Sequence, residues 1–322
     1  MRQIGYHASH EQFAPSELLD LVRLAEAAGF DAIMSSDHLA PWGAKQGQSG
    51  FAWSWLGAAM QASRLPFSIV TTPIGIRYHP LLIAQAVATL AAMYPDRLTI
   101  ILGSGEALNE RPFGIGWPAK DERVARLEES VAIIRALFRG EEVTTRGFHR
   151  LENARLYTLP AQAPAIYAAA LSLGTAHRAS GWADGLATIN MPSSRLRAII
   201  DAFREGAGEE KPIHVQVHLS YADDLEKAQH NTLEQWKTNA LPAPIAAELY
   251  SPQMFDDATQ HLRIEDLEES VLISPSPSQH ADWVQQIFEL GADCALLHNV
   301  GRNQQEFIKA FAEKVLPQFK GI

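Results

Sequence analysis

Short apolar or β-branched runs alternate along this chain with longer segments of helical periodicity, and that alternation constrains the fold more than any other feature. Eight strand candidates occupy residues 3–6, 31–35, 67–71, 98–102, 165–170, 185–189, 213–219 and 294–297. Buried strands separated by amphipathic helices imply a parallel sheet covered by helices. Eight such units over 322 residues, with no Pro/Gly/Ser linker dividing them, predict a single α/β domain, a closed (β/α)8 TIM barrel spanning residues 1–322. A doubly wound open sheet is the structural rival, and it usually needs a second domain. Residues 17–28 read as the first helix, capped by Ser16, stopped by Gly29, with Leu18, Leu19, Val22, Leu24 and Ala25 on its apolar face. Two insertions fit no unit. Residues 140–159, after the fourth strand, alternate like a hairpin; residues 240–269, after the seventh, form a proline-interrupted and mostly helical excursion that serves either as a lid or as a dimer contact.

Charge and cysteine usage then narrow the function classes. A net charge of -10 argues against nucleic-acid and anionic-membrane partners, which favour basic patches. The one cysteine, Cys294, excludes an internal disulfide and fits a reducing compartment. It lies in an apolar run, where buried filler is the expected role. No apolar stretch is long enough to act as a signal peptide or to cross a bilayer, so a soluble cytoplasmic protein is expected.

In a barrel of this kind the chemistry sits at the C-terminal ends of the strands. The residues there are His7, Ser9, His10 and Glu11; Asp37, His38 and Trp42; Thr71, Thr72 and Pro73; Gly103, Ser104, Gly105, Glu106 and Asn109; Ser172, Gly174 and Thr175; Asn190; and His298, Asn299 and Arg302. Three readings of the histidines compete. Each is an ordinary hydrogen-bonded loop residue; or His7, His38 and His298 belong to a metal hydrolase; or the mouth holds a planar cofactor. The second lacks a His-x-His pair on the first strand and a carboxylate-rich set. For the third, Gly103-Ser104-Gly105 is small enough to admit a ring, and Trp42, Trp53 and Trp55 are either its walls or core residues. The stretch from Ala170 to Thr175 leaves a strand and enters a helix, so free N–H groups and the helix dipole favour an anion there, with Ser172 and Thr175 as hydroxyl donors. A plain helix cap is the simpler alternative.

The motifs GYHASHEQFAPSEL, SSDHLAPW, TTP followed by RYHP, and GSGEALNE resemble the luciferase-like flavin-dependent oxidoreductases. The similarity extends through WPAKDERVARLEESV, GWADG and LLHNVGRNQ, and is strongest to the branch that contains deazaflavin-dependent glucose-6-phosphate dehydrogenase. The resemblance implies a (β/α)8 barrel with an isoalloxazine or deazaflavin ring across its mouth. It places His38 beside the ring, with Asp37 orienting it or contacting the cofactor. Trp42, Glu11 and Glu106 lie on the substrate side, with Asn109 close by. Val70 and Thr71 stand where many members carry a non-prolyl cis peptide under the ring. Gly103, Ser104 and Gly105 border the ring, and Ser172, Gly174 and Thr175 hold the cofactor phosphate. Glu106 serves either as a partly protonated partner acid or as a structural carboxylate.

Two departures bear on specificity. Sugar-phosphate dehydrogenases of the branch carry a lysine soon after the sixth strand, whereas residues 188–192 here read TINMP. The wording HASHEQFAP, QSGFAWSWLGAA and HNVGRNQ is closer to a subgroup thought to have reverted to FMN. The expected protein is therefore an oxidoreductase using FMN, with coenzyme F420 as the alternative, that transfers hydride to or oxygenates a small organic substrate. A flavin reductase partner and a homodimer are expected with it. A metal-dependent hydrolase and a non-catalytic flavin-binding protein are the readings from other classes.

Overall fold

All eight apolar runs become strands of one closed ring. The computed structural model describes residues 2–208 and 210–320. Strands β1 (Gln3–Ala8), β2 (Ala32–Ser36), β3 (Phe67–Thr71) and β4 (Leu98–Leu102) run parallel, joined by helices α1 (Pro15–Ala28), α2 (Ala52–Ala62) and α3 (Pro80–Met93). A one-turn helix α4 (Ala107–Glu110) and the long α5 (Lys120–Phe138) follow, then the antiparallel hairpin of β5 (Val143–Arg146) and β6 (Arg150–Ala154). The parallel sheet resumes with β7 (Ile166–Ala169), α6 (Leu173–Ala179), β8 (Gly185–Ile189), α7 (Ser193–Ala207) and β9 (Ile213–Ser220). Next come α8 (Leu225–Gln235), α9 (Ala243–Ala246), α10 (Pro252–Ala258), the two-residue β10 (Leu272–Ile273), α11 (Pro277–Glu289), β11 (Cys294–Asn299) and α12 (Gln304–Lys314). Strand β11 pairs with both β9 and β1, and β8 pairs with β9, so the barrel has no open edge.

Alternation along each strand divides the apolar residues between two cores. Met34, Ile101, Tyr167, Ala187, Cys294 and Leu296 fill the inside of the barrel. Ile33, Ile69, Ile100, Ile166, Leu186 and Val215 pack outward in the main cluster beneath the helices. Close strand packing explains Gly5: a Cβ there would stand 2.6 Å from the Leu296 side chain and 3.0 Å from the Ala32 carbonyl. Among the described residues no helix is long and apolar enough to cross a membrane.

Several local expectations are corrected. Helix α1 begins at Pro15, not after a Ser16 cap; Ala14 is the N-cap and makes no side-chain cap bond. Proline's fixed φ and missing N–H suit the first helical position, which leaves Ser16 inside the first turn. The buried face of α1 is Leu18, Leu21, Val22 and Ala25, while Leu24 is 38% exposed. Gly29 ends the helix as expected, at φ 91°, with its N–H on the Ala25 and Glu26 carbonyls. His7 lies within β1 rather than after it. Helix α2 had no periodic signal to betray it, because its residues are apolar on nearly every side. The two excursions are a hairpin and a set of short helices, and β10, just past the second, pairs with Leu219 and Ser220 of β9. No described peptide bond is cis, Val70–Thr71 included. Both residues stay in register with β4, opposite Ile101 and Leu102.

Candidate active site at the barrel mouth

His38 and Glu11 meet at the C-terminal ends of β1 and β2. The His38 Nε2 is 3.3 Å from Glu11 Oε1. Ser36 donates to the same oxygen and Ser9 to the other, each at 2.8 Å. Burial works to raise the Glu11 pKa, but His38, His7, its own backbone N–H and the Ser36 hydroxyl outweigh it and hold the carboxyl below its ordinary value. Asn109 approaches His38 from the other side. The Leu39 N–H donates to Asn109 Oδ1 at 2.8 Å, which turns the amide so that Nδ2 donates to His38 Nδ1 at 3.3 Å. The neutral ring therefore carries its proton on Nε2, toward Glu11, and Nδ1 is its basic nitrogen.

Trp42 stands 4.9 Å from the His38 ring and meets Phe255 of α10 edge-on at 5.2 Å, centroid to centroid. Of the three tryptophans considered as walls, it alone is at the mouth. Trp53 donates to Asp37 at 3.0 Å and Trp55 to the Pro15 carbonyl at 3.0 Å, both from α2 behind the barrel. Glu106 precedes α4 without making a side-chain cap bond. Burial raises its pKa; His38 pulls it down and Glu11 adds to the rise.

Asp37 and Thr71 take the opposite face. Because successive strand residues point to opposite sides, Ser36 and His38 face the mouth while Asp37 faces the outer helices. Its carboxylate accepts from Arg77 at 2.8 Å, Thr71 Oγ1 at 2.9 Å, Trp53 at 3.0 Å and the Tyr78 hydroxyl at 3.1 Å. Sequence reasoning missed Arg77 and Tyr78 as its holders, although RYH directly precedes α3.

Inside the barrel, three histidines line up on adjacent strands. The His298 ring centroid is 4.5 Å from that of His7 and 5.6 Å from that of His218, with Trp236 at 4.4 Å. His298 Nε2 donates to Gln12 at 2.9 Å, and Asn239 donates to His218 at 3.2 Å. Burial lowers the His7 pKa to about 4 and that of His218 to about 3, and holds His298 well below its ordinary value. All three are neutral near pH 7. Among the described residues no group of three or more His, Cys, Asp or Glu side chains is arranged to hold a metal ion. Alternation of His214, Gln216 and His218 in IHVQVHLS was the available signal for this polar interior.

The expected anion site opens into a cavity of about 250 Å³ bordered by Ser104, Lys120, Ser172, Gly174, Thr175 and Trp182. Ser172 does cap α6, accepting from the Thr175 N–H, and the two hydroxyls lie 2.9 Å apart. A Cβ on Gly174 would meet nothing within 4 Å, and one on Gly103 only the Ala169 Cβ at 3.6 Å. Gly105 is held at φ 83°, where an added Cβ would also strike Thr72 at 2.8 Å. Hydroxyl donors, an ammonium group and open space over two glycines fit a cofactor with a planar ring and a phosphate.

Beneath the mouth, Glu110 accepts the Arg77 N–H at 2.8 Å. Burial, opposed by Arg77, pushes its carboxyl from 4.5 up to about 7. The folded chain thus holds a proton that the unfolded chain releases, so this contribution to stability is complete below pH 4.5 and is lost as pH rises through about 7. Glu110→Gln keeps an acceptor for Arg77 and removes the titration. Wild type is expected to lose on the order of 3 kcal/mol relative to the variant between roughly pH 4.5 and 8. Denaturant unfolding across that range checks it; parallel pH profiles would show that Glu110 is charged in the folded chain.

Comparison with known proteins bears on this geometry. The family model described as Luciferase-like monooxygenase matches residues 2–294. An F420-dependent glucose-6-phosphate dehydrogenase of Nakamurella multipartita is 36% identical, over 99% of this chain and 97% of that one. Its counterpart from Mycobacterium tuberculosis is 34% identical, over 99% and 98%. A solved F420-dependent secondary alcohol dehydrogenase, in complex with an F420-acetone adduct, superposes with a TM-score of 0.92 at 30% identity, covering 98% of each chain.

Proposed function

The chain belongs to the luciferase-like monooxygenase family and is an oxidoreductase, and on that premise we propose that it transfers a hydride between a carbon–oxygen centre of a small organic substrate and coenzyme F420. The observation that carries this reading is the Asn109–His38–Glu11 arrangement, a hydrogen bond on Nδ1 and a carboxylate 3.3 Å from Nε2, which leaves one basic nitrogen at the mouth beside a cavity fit for a phosphate-bearing cofactor. Relatives named for F420 support that coenzyme over FMN.

When bound, the deazaflavin ring accepts or returns the hydride. The accompanying proton falls to the protein. His38 Nδ1 takes it from the substrate hydroxyl, displacing the weakly held Asn109 amide, and Glu11 stabilises the resulting imidazolium through Nε2. Ser9 and Ser36 hold the Glu11 carboxylate in place, and His38 leads the groups that favour its charged form. Trp42 walls the substrate, and Glu106, with its raised pKa, is the second proton carrier. Val70, Gly103 and Gly105 would border the ring, and Ser104, Ser172, Gly174 and Thr175 would hold the phosphate. Asp37 and Thr71 brace the strands that carry these groups.

Fluorescence titration of the purified protein with F420 and, separately, FMN tests the assignment. Saturable F420 binding at micromolar concentrations or below, with weaker FMN binding, is expected. Ser172→Ala/Thr175→Ala should weaken F420 by about ten-fold or more through loss of two hydroxyl donors to the phosphate. The reverse coenzyme preference would establish FMN and call for a separate flavin reductase. Binding of neither rejects the reading.

A further inference from the structure

The substrate side of the mouth has a wall distinct from the cofactor cavity. Trp236, Val271 and Val300 form a separate buried apolar cluster, with Trp42 and Ile273 packed on it. Trp42 links this wall to His38, and Trp236 links it to His298.

The polar groups set around that wall are neutral or negative. Glu11, favoured in its charged form, and Glu106, whose pKa burial raises, both interact with His38. His7, His218 and His298 are kept uncharged by burial. Asn190 holds the His218 N–H at 2.8 Å, and both Asn190 and Asn239 donate to the Ser270 carbonyl.

Cations on the loops above the barrel are engaged elsewhere or turned to solvent. Arg77 closes on Asp37 at 2.8 Å, Lys237 on Asp256 at 3.4 Å, and Arg123 of α5 on Glu248 at 3.4 Å. Arg302 reaches the Gln46 carbonyl at 3.5 Å and lies over the Phe13 ring. Lys45 and Arg263 are exposed. Arg111 of the segment after α4 lies over the Tyr250 ring at 3.9 Å. An anion entering here would leave water, approach the Glu11 carboxylate and find Arg77, Lys237 and Arg123 already paired with carboxylates.

What the wall does offer is a neutral donor. The Trp236 indole N–H and the His7 Nδ1 atom are buried without a hydrogen-bond partner, and both rings flank His298. An indole N–H can only donate, which suits the oxygen of an alcohol or carbonyl.

We infer that the substrate pocket takes a small neutral alcohol or carbonyl compound with an apolar flank and rejects anionic and phosphorylated substrates, unlike the sugar-phosphate dehydrogenases that this chain resembles in sequence. This rests on the hydride-transfer reading above. The alcohol carbon gives up its hydride, with both electrons, to F420 and its hydroxyl proton to His38, leaving the carbonyl.

Two isosteres isolate the charge. Isobutyramide and isobutyrate have nearly the same shape, and calorimetry at neutral pH on the F420-loaded protein should give saturable binding of the amide and at least ten-fold weaker binding of the carboxylate. Glucose 6-phosphate should give no saturable reduction of F420. Equal affinities, failure of both isosteres to bind, or saturable turnover of glucose 6-phosphate would each overturn the inference. The isosteres are also compared on the protein without cofactor, where the wall and both carboxyl groups remain. Failure of F420 itself to bind then counts against the hydride-transfer reading, while the isostere comparison still decides the question of charge.

Discussion

His38→Ala is expected to lower kcat by roughly 10²- to 10⁴-fold while leaving F420 affinity within about threefold. The imidazole stands between Asn109 and Glu11, with one nitrogen fixed as donor and the other as acceptor. Removing it takes away the proton acceptor and leaves Glu11 held by two serines with nothing to polarise. The cofactor phosphate would rest on Ser172 and Thr175, far along the chain at the start of α6, so binding should survive. Stopped-flow reduction of F420 beside a binding titration separates the two effects. A variant that keeps more than a tenth of wild-type kcat would show that the proton leaves by another route. Glu106 is the next group in line, and Glu106→Gln would then have to carry the loss.

Asp37→Ala is expected to cost about 3–5 kcal/mol of stability, the effect of leaving a buried charge without its partner. The Asp37 side chain is fully buried and that of Arg77 is only 5% exposed. Four donors converge on the carboxylate, so alanine strands the Arg77 charge together with the Trp53, Thr71 and Tyr78 groups. Burial and Asp37 both keep the Tyr78 phenol protonated, so it remains a donor needing an acceptor. Denaturant midpoints measure the loss, and Asp37→Ala/Arg77→Met should recover part of it because the uncompensated charge is gone. A loss below about 1 kcal/mol would mean that water replaces the carboxylate, and that this cluster is less closed than its burial indicates.

These two residues are neighbours in SDH, and their contrast shows how far a sequence can be read. That the motif ends a barrel strand was legible, because β2 opens with the apolar run Ala32–Met34 and turns polar at its C-terminal end. That His38 and Asp37 serve opposite faces was not used, although period-two alternation demands it of adjacent strand residues. Resemblance to the family had Asp37 orienting the ring or contacting the cofactor; its four partners come from α2, β3 and the turn before α3, none of which a local reading brings together.

Ser172 and Thr175 were found from sequence because a cap is a local device, made within three residues of chain. Glu11 and His38 were named as site residues, but their pairing joins the ends of two strands 27 positions apart in sequence. The His7–His298–His218 layer depends on closure of the barrel, which sets the first strand beside the last. Its signal was present in the polar alternation of β9 and was overlooked because the strand also reads as apolar.

By itself, the sequence determined the barrel, the number of its units and the places of both excursions. These follow from hydrophobic periodicity and turn chemistry, which act over a few residues and survive any context. Tertiary structure alone decided which polar side chains meet, which nitrogen of His38 is basic, and that Arg77, Arg123 and Lys237 are paired with carboxylates. Those properties are set by burial and by partners contributed from distant strands, and neither exists until the ring has closed.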